Sequence, residues 1–217
     1  MSPAKAVIRW GAVGLAAFAL AGCISLLPKS KPAQLYRFGA THPASASAPP
    51  QAGSPTVGVF WANGSFQREA AGDRILTVTN EKVAYIAESR WAAPAEVLFD
   101  EAVFETFDAV GGHVRLVPRG APTTSDYVLR VDVRNFEARY ENGPKAAPTV
   151  LIRMHAMLTR DRQRSLVSDR LFEARARASD NRVGAIVAAY DKALNDAIGQ
   201  LADWTDQQTA QAPPAAA

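Results

Sequence analysis

Cys23 is the only cysteine among 217 residues, so its thiol cannot close an intrachain disulfide or join a cysteine zinc cluster. It follows directly on Leu20-Ala21-Gly22. Other reactive groups are sparse. Of the three histidines, His42 lies in a low-complexity stretch, His113 follows a glycine pair and His155 falls on the polar parity of a strand pattern. Asp100, Glu101 and Glu105 could group carboxylates, but at helical spacing they form a solvated face. The chain has no Gly-x-x-x-x-Gly-Lys-Ser/Thr phosphate loop, no Gly-x-Ser-x-Gly elbow and no His-Glu-x-x-His pair. Arg160, Arg162, Arg164, Arg170, Arg175 and Arg177 surround one predicted hairpin. They form either a contact for anionic lipid or an acidic partner, at about 1 kcal/mol per arginine near a charged membrane, or a solvated hairpin tip. The balance of 24 basic and 21 acidic residues, +3 overall, is far from the concentrated footprint of a nucleic-acid binder.

The residues before Cys23 explain why the thiol matters. Lys5 and Arg9 make a short positive region, and Trp10 to Leu20 are all apolar or small. That run has the length of a secretory h-region and is too short to span a bilayer as a helix. With Leu-Ala-Gly-Cys after it, the pattern resembles the bacterial lipobox. There the signal is cut between Gly22 and Cys23, a diacylglyceryl group is placed on the thiol, and the new α-amino group receives an acyl chain such as palmitate. An ordinary secretory signal or an N-terminal membrane helix is the alternative. Each buried CH₂ contributes about 0.8 kcal/mol, so two or three chains make release negligible where one binds only marginally. Ile24 rather than Asp follows the cysteine, which favours the outer membrane by resemblance to lipoprotein sorting in enteric bacteria. Residues 1–22 carry Lys5 and Arg9 and no acid, so the basic excess beyond them shrinks to one and says little about partners.

The remainder divides into a lipidated tether over 23–33, a domain over 34–205 and a Gln/Ala/Pro-rich tail over 206–217, expected to be disordered. The ten residues 24–33 reach at most about 33–36 Å. Within the domain, Leu35 to Phe38 reads as a strand, and residues 41–55, rich in Pro, Ala and Ser, as a flexible loop. Val57 to Trp61 reads as a strand and Ser65 to Ala71 as one or two helical turns. A hairpin pairs Arg74–Val78 with Lys82–Ala87. A helix spans Pro94 to Val110, with Pro94 at its first position and Gly111-Gly112 ending it. Leu98, Phe99, Ala102, Val103, Phe107 and Val110 share one side, while Val97 and Phe104 fall among the acids opposite. Those two are either covered by a loop or form a partner-binding spot. Strands follow over His113–Val117, from Tyr127, over Val150–Arg160 and over Leu166–Ala176. Inward parity switches from Val133 to Phe136, which predicts a β-bulge near Arg134-Asn135. Asp180 can cap a final amphipathic helix, its stripe running from Val183 to Trp204. The expected fold is α+β: a mixed, largely antiparallel sheet with two main helices packed on one face.

These residues together resemble the ABC-type transport auxiliary lipoproteins of the PqiC (YmbA) type, over roughly Cys23 to Trp204. The resemblance rests on the lipobox, Leu35-Tyr36-Arg37-Phe38 after a short tether, the Ala/Pro/Ser loop, Val57-Gly58-Val59, the hairpin from Arg74 to Tyr85 and Ala188-Ala189-Tyr190 in the last helix. Its most specific piece is Arg90-Trp91-Ala92-Ala93-Pro94, leading into a helix. There Pro94 starts the helix and Trp91 packs beneath it as a core anchor or, alternatively, meets a ligand, while Arg90 meets a carboxylate or partner. Ala95 stands where the family often has leucine, and residues 62–72 lack a proline common there. The resemblance implies a non-enzymatic accessory of an MCE-type system that moves lipids, phospholipids foremost, between the two membranes. It would work with an MCE-domain protein and an inner-membrane ABC permease and ATPase. It would act as an outer-membrane-tethered docking or receiving module, in a homo-oligomeric ring, with no cofactor beyond the chains on Cys23, no metal and no nucleic acid. A structural or regulatory lipoprotein of envelope or cell-wall assembly is the alternative.

Overall fold

The computed structural model describes residues 32–39 and 57–211. Gly22, Cys23, most of the tether and the 41–55 loop lie outside the described residues. The elements run β1 (Gln34–Tyr36), β2 (Val57–Phe66), β3 (Arg74–Thr79), β4 (Lys82–Trp91), α1 (Ala95–Val110), β5 (Val114–Val117), β6 (Tyr127–Arg139), β7 (Thr149–Arg160), β8 (Leu166–Arg177) and α2 (Val183–Gln211). They form the expected α+β fold, a mixed sheet in which the two longest ladders, β6–β7 and β7–β8, are antiparallel.

β6 organises the sheet because its two edges are used differently. One edge pairs with β7 over its whole length. The other pairs in parallel with β2 over Tyr127–Val133 and then with β3 at Ala138 and Arg139. The sheet therefore forks: β2 and β5 continue from the first half of β6, and β3, β4 and β1 from the second. The fork falls at the predicted bulge, where the register slips between Val133 and Asn135. The inserted residue returns the inward parity to Phe136 and Ala138, both buried.

β2 carries a bulge of its own between Asn63 and Phe66. A Cβ on Gly64 would sit 1.7 Å from the Val131 carbonyl oxygen, so only glycine permits this approach of the two backbones. The Ser65 amide and hydroxyl both donate to Asp132, at 2.7 and 2.9 Å. The expected helical turn over Ser65–Ala71 is thus corrected: the strand runs on through Phe66 and a tight turn follows. Gln67 then stands in for a strand inside the fork. Its Oε1 accepts from the Phe136 amide at 2.7 Å, and its Nε2 donates to Glu137 at 2.8 Å. Glu137, 3% exposed, also accepts from Arg139 at 2.7 Å, so the buried acid is paired.

The core lies between the sheet and the helices. Val133, Met154 and Phe172 are in cross-strand register and buried. Phe172 meets Trp204 of α2, with ring centroids 5.7 Å apart. At the fork, Phe38, Trp91, Phe136 and Tyr190 make a chain of ring contacts at 4.9–5.2 Å, and the Tyr190 hydroxyl donates to the Leu76 carbonyl at 2.9 Å. α2 extends beyond Trp204 to Gln211, with Thr205 and Thr209 buried, so residues 206–211 belong to the helix and not to a disordered tail. Two caps are also corrected. Pro94 precedes the first helical residue of α1 rather than occupying it. Asp180 accepts from the Asn181 amide, while α2 starts only at Val183, its first carbonyl supplied by Arg182.

Candidate functional site

The sequence candidates separate into a joint and a surface. Trp91 ends β4, is 2% exposed and packs edge-on against Phe38 and Tyr190. That burial makes it a core anchor and removes it from direct ligand contact. Arg90 points outward and pairs with Asp73 at 2.8 Å. Pro94 has no amide hydrogen and no side-chain oxygen to cap α1. The orphan amides of the first turn instead reach neighbouring carbonyls, Ala95 to Gly72 at 3.0 Å and Glu96 to Ala71 at 3.3 Å. Arg90, Trp91 and Pro94 thus fix where α1 begins and how it sits on the sheet.

Val97 and Phe104 have different fates. Phe104 is half-buried beneath Trp61, ring centroids 6.4 Å apart, so strand β2, not a loop, covers it. Val97 remains 43% exposed. It stands at the mouth of a cleft of about 200 Å³ between α1 and the β2 bulge. Trp61, Phe66, Phe99, Val131 and Val133 supply apolar walls, and Ser65, Glu96 and Asp100 supply polar ones. The Trp61 indole nitrogen donates to Asp100 at 3.2 Å. Burial, followed by the nearby charge of Glu96, raises the Asp100 carboxyl above its ordinary value despite that hydrogen bond. An apolar slot ending on two carboxylates fits the stem and head of a lysine or arginine side chain. Asp100 was expected on a solvated face. Its partner is 39 residues away in sequence, and nothing in the helical pattern around it marks that contact.

The arginine group divides as well. Arg175 bridges Glu173 and Glu141, each at 2.9 Å, and Arg153 binds Glu173 from the other side. These form a charge ladder on the sheet face away from the helices. Arg170 lies over the Phe172 ring. Arg177 ends β8, at the opposite end of that strand from Arg160, Arg162 and Arg164.

The nearest approach to catalytic geometry joins His113 to two residues of one turn of α2, more than 90 residues away in sequence. His113 Nδ1 lies 2.9 Å from Asp206, and its Nε2 lies 3.0 Å from the Thr209 hydroxyl. The order acid–imidazole–hydroxyl imitates a nucleophile relay. However, Thr209 is 5% exposed, and its hydroxyl lies 2.8 Å from the Thr205 carbonyl of its own helix. No substrate carbonyl can reach it. The Asp206 carboxylate also accepts from the His113 amide at 3.0 Å. The trio is a clasp joining the start of β5 to the end of α2. Among the described residues no cluster of three or more His, Cys, Asp or Glu side chains could hold a metal ion.

Comparison with known proteins agrees with this architecture. The family model of the ABC-type transport auxiliary lipoprotein component matches residues 68–202, and the chain belongs to that family. The crystal structure of protein XCC0632 from Xanthomonas campestris, of family DUF330, is 25% identical with a TM-score of 0.66, covering 75% of this chain and 91% of that one. An uncharacterized protein of known structure gives 16% identity and a TM-score of 0.58, with 81% and 99% of the two chains covered. The hypothetical protein CT253 from Chlamydia trachomatis gives 9% and 0.47, over 69% and 97%. A search of curated proteins found no match. Membership of a lipoprotein family implies a membrane-anchored periplasmic protein, and no helix among the described residues is long and apolar enough to cross a membrane.

Proposed function

We propose that the chain is a non-catalytic docking module of an MCE-type lipid-transport system, held on the periplasmic face of the outer membrane by acyl chains on Cys23. Its partners are the MCE-domain protein that bridges the periplasm and, through it, the inner-membrane permease and ATPase. The cargo class is phospholipid. The observation that carries this reading is the family match, which runs from the end of β2 to α2 and includes all of α1. The cleft beside Val97 supports a docking role. It is too small for a whole phospholipid, yet well shaped for one basic side chain of a protein partner set among apolar contacts.

The test is a photocrosslinking residue at Val97 in the intact chain, expressed in its own cells. The expected product joins this chain to an MCE-domain protein, and Asp100→Lys abolishes it by turning the cleft's charge against a basic side chain. Capture of a cell-wall synthase, with no MCE protein, would instead show a lipoprotein of envelope assembly. The anchor is tested separately. Cys23→Ala is expected to release the chain from the membrane and change its gel mobility; a membrane-bound product of unchanged mobility would overturn that part.

A further inference from the structure

The end of the sheet where β6 begins gathers exposed arginines. Arg162 and Arg164 lie in the turn Asp161–Ser165 between β7 and β8, and Arg119 lies in the segment Pro118–Asp126 between β5 and β6. All three are exposed. Two links join these segments: the Asp161 amide donates to the Asp126 carbonyl at 3.0 Å, and the Ser125 hydroxyl donates to the Asp161 carboxylate at 3.1 Å. Arg160 adds a further positive charge, and Asp126 and Asp161 are the acids nearby. Between the segments lies an open recess of about 400 Å³, with Phe60, Val117, Pro118 and Ala121 as apolar lining and Thr123, Thr124, Ser125, Asp161 and Arg162 as polar lining. Leu166, the first residue after the turn, is 59% exposed.

The backbone adds an independent observation. Arg164 has φ +49°, in the left-handed region where glycine is favoured and a long side chain is disfavoured by about 1–2 kcal/mol. Folding alone would be served better by glycine at this place. Arg164 thus occupies, at a backbone cost, a turn position beside an exposed leucine.

We propose that this end of the domain is a contact surface for an anionic bilayer, with the guanidinium groups of Arg119, Arg162 and Arg164 on lipid phosphates and Leu166 at the headgroup boundary. Guanidinium binds phosphate in a bidentate way, and a leucine beside such charges suits the headgroup boundary. The inference does not depend on what lipid is carried or on which protein docks at Val97.

The test uses the full chain purified from membranes and reconstituted in phosphatidylcholine vesicles. A polarity-sensitive dye is placed on Gln163→Cys, with the unsubstituted chain as the labelling blank. Adding phosphatidylglycerol, in the same vesicles or in a second population, is expected to shift the dye towards an apolar environment, and the shift should weaken as salt rises. Arg162→Ala with Arg164→Ala is expected to weaken the contact about 25-fold, about 5-fold per arginine, whereas lysine at both places retains most of it. Arg164→Gly separates fold from contact: thermal unfolding is no lower, yet the contact weakens about 5-fold. A dye signal indifferent to phosphatidylglycerol overturns the proposal, as does equal response in the alanine pair. So does a change in self-association on sedimentation without a lipid response, which would assign the arginines to the acidic face of another copy.

Discussion

α1 and α2 lie on the same side of one sheet and bury similar shares of their residues, seven of 16 and twelve of 29, but their outer faces meet different surroundings. α2 has 29 residues with twelve buried. Two of its four acids reach other elements: Asp191 accepts from the Gly39 amide at 2.8 Å, and Asp206 holds His113. α1 has 16 residues, five acids and no base. Of its acids, Asp100 meets Trp61 and Glu101 meets Arg37 at 2.8 Å, while Glu105 and Asp108 are exposed. The longer helix closes the core; the shorter one contributes one apolar side to it and presents the other. A single sheet face thus carries both a scaffold element and a display element, distinguished by the cleft that α1 borders with the β2 bulge.

The contrast is sharpest in the core. Tyr190→Ala in α2 is expected to cost about 3–5 kcal/mol in denaturant unfolding, against less than about 0.5 kcal/mol for Val97→Ala in α1. Similar losses at both places would erase the distinction. Tyr190→Phe keeps the ring but leaves the Leu76 carbonyl unpaired, so a loss of about 1–3 kcal/mol is expected. A smaller effect belongs to the clasp. Asp206→Ala should cost about 1–2 kcal/mol and accelerate amide exchange at His113 and Val114 before the rest of β5. Uniform exchange would show that α2 does not hold that strand.

The smallest effects are in pH dependence, and here α1 and the sheet's outer face should differ in sign. Asp100 has a raised carboxyl value in the fold, so its contribution improves as pH falls from neutral through that raised value towards the ordinary carboxylate range. Asp100→Asn is expected to be more stable than the natural chain at neutral pH, with the advantage fading on acidification. Glu173 is held below its ordinary value by hydrogen bonds from Arg153 and Arg175. Its contribution is present above the ordinary carboxylate value and is lost as pH falls through the lowered one. Glu173→Gln is therefore expected to be less stable at neutral pH, with the deficit closing in acid. Two difference curves of the same sign would contradict the assigned environments.

Much of this organisation was legible from residue types because the responsible forces act locally. The parity switch between Val133 and Phe136 located the bulge, and the apolar stripe of α2 located the helix that closes the core. What escaped depends on partners distant in sequence. The fork in β6 arises because one strand edge serves two strands, and alternation along β6 carries no trace of it. Ser65 and Phe66 continue a strand where spacing alone suggests a helical turn, since the restraint is the Val131 backbone opposite Gly64. Thr209 reads as part of a polar tail over 206–217, but it is buried in α2, where its hydroxyl donates to the Thr205 carbonyl one turn back. Val97 was visible as an anomaly among acids, yet the cleft it borders needed Trp61 and the β2 bulge to exist.

The way residues 33–39 enter the fold has a mechanical consequence. β1 runs parallel to the last residues of β4, and Tyr36 accepts from the Ala92 amide at 2.7 Å. Phe38 sits just behind, locked between Trp91 and Phe136. If the chain is held at a membrane from its amino-terminal side, a pull at residue 33 acts along the strand axis. The bonds of β1 are then sheared together instead of peeled one by one, and the Phe38 ring must be drawn through the aromatic cluster before the strand can leave. Tension between membrane and partner would be borne by the centre of the domain, so the segment that locates the protein also resists its being pulled apart.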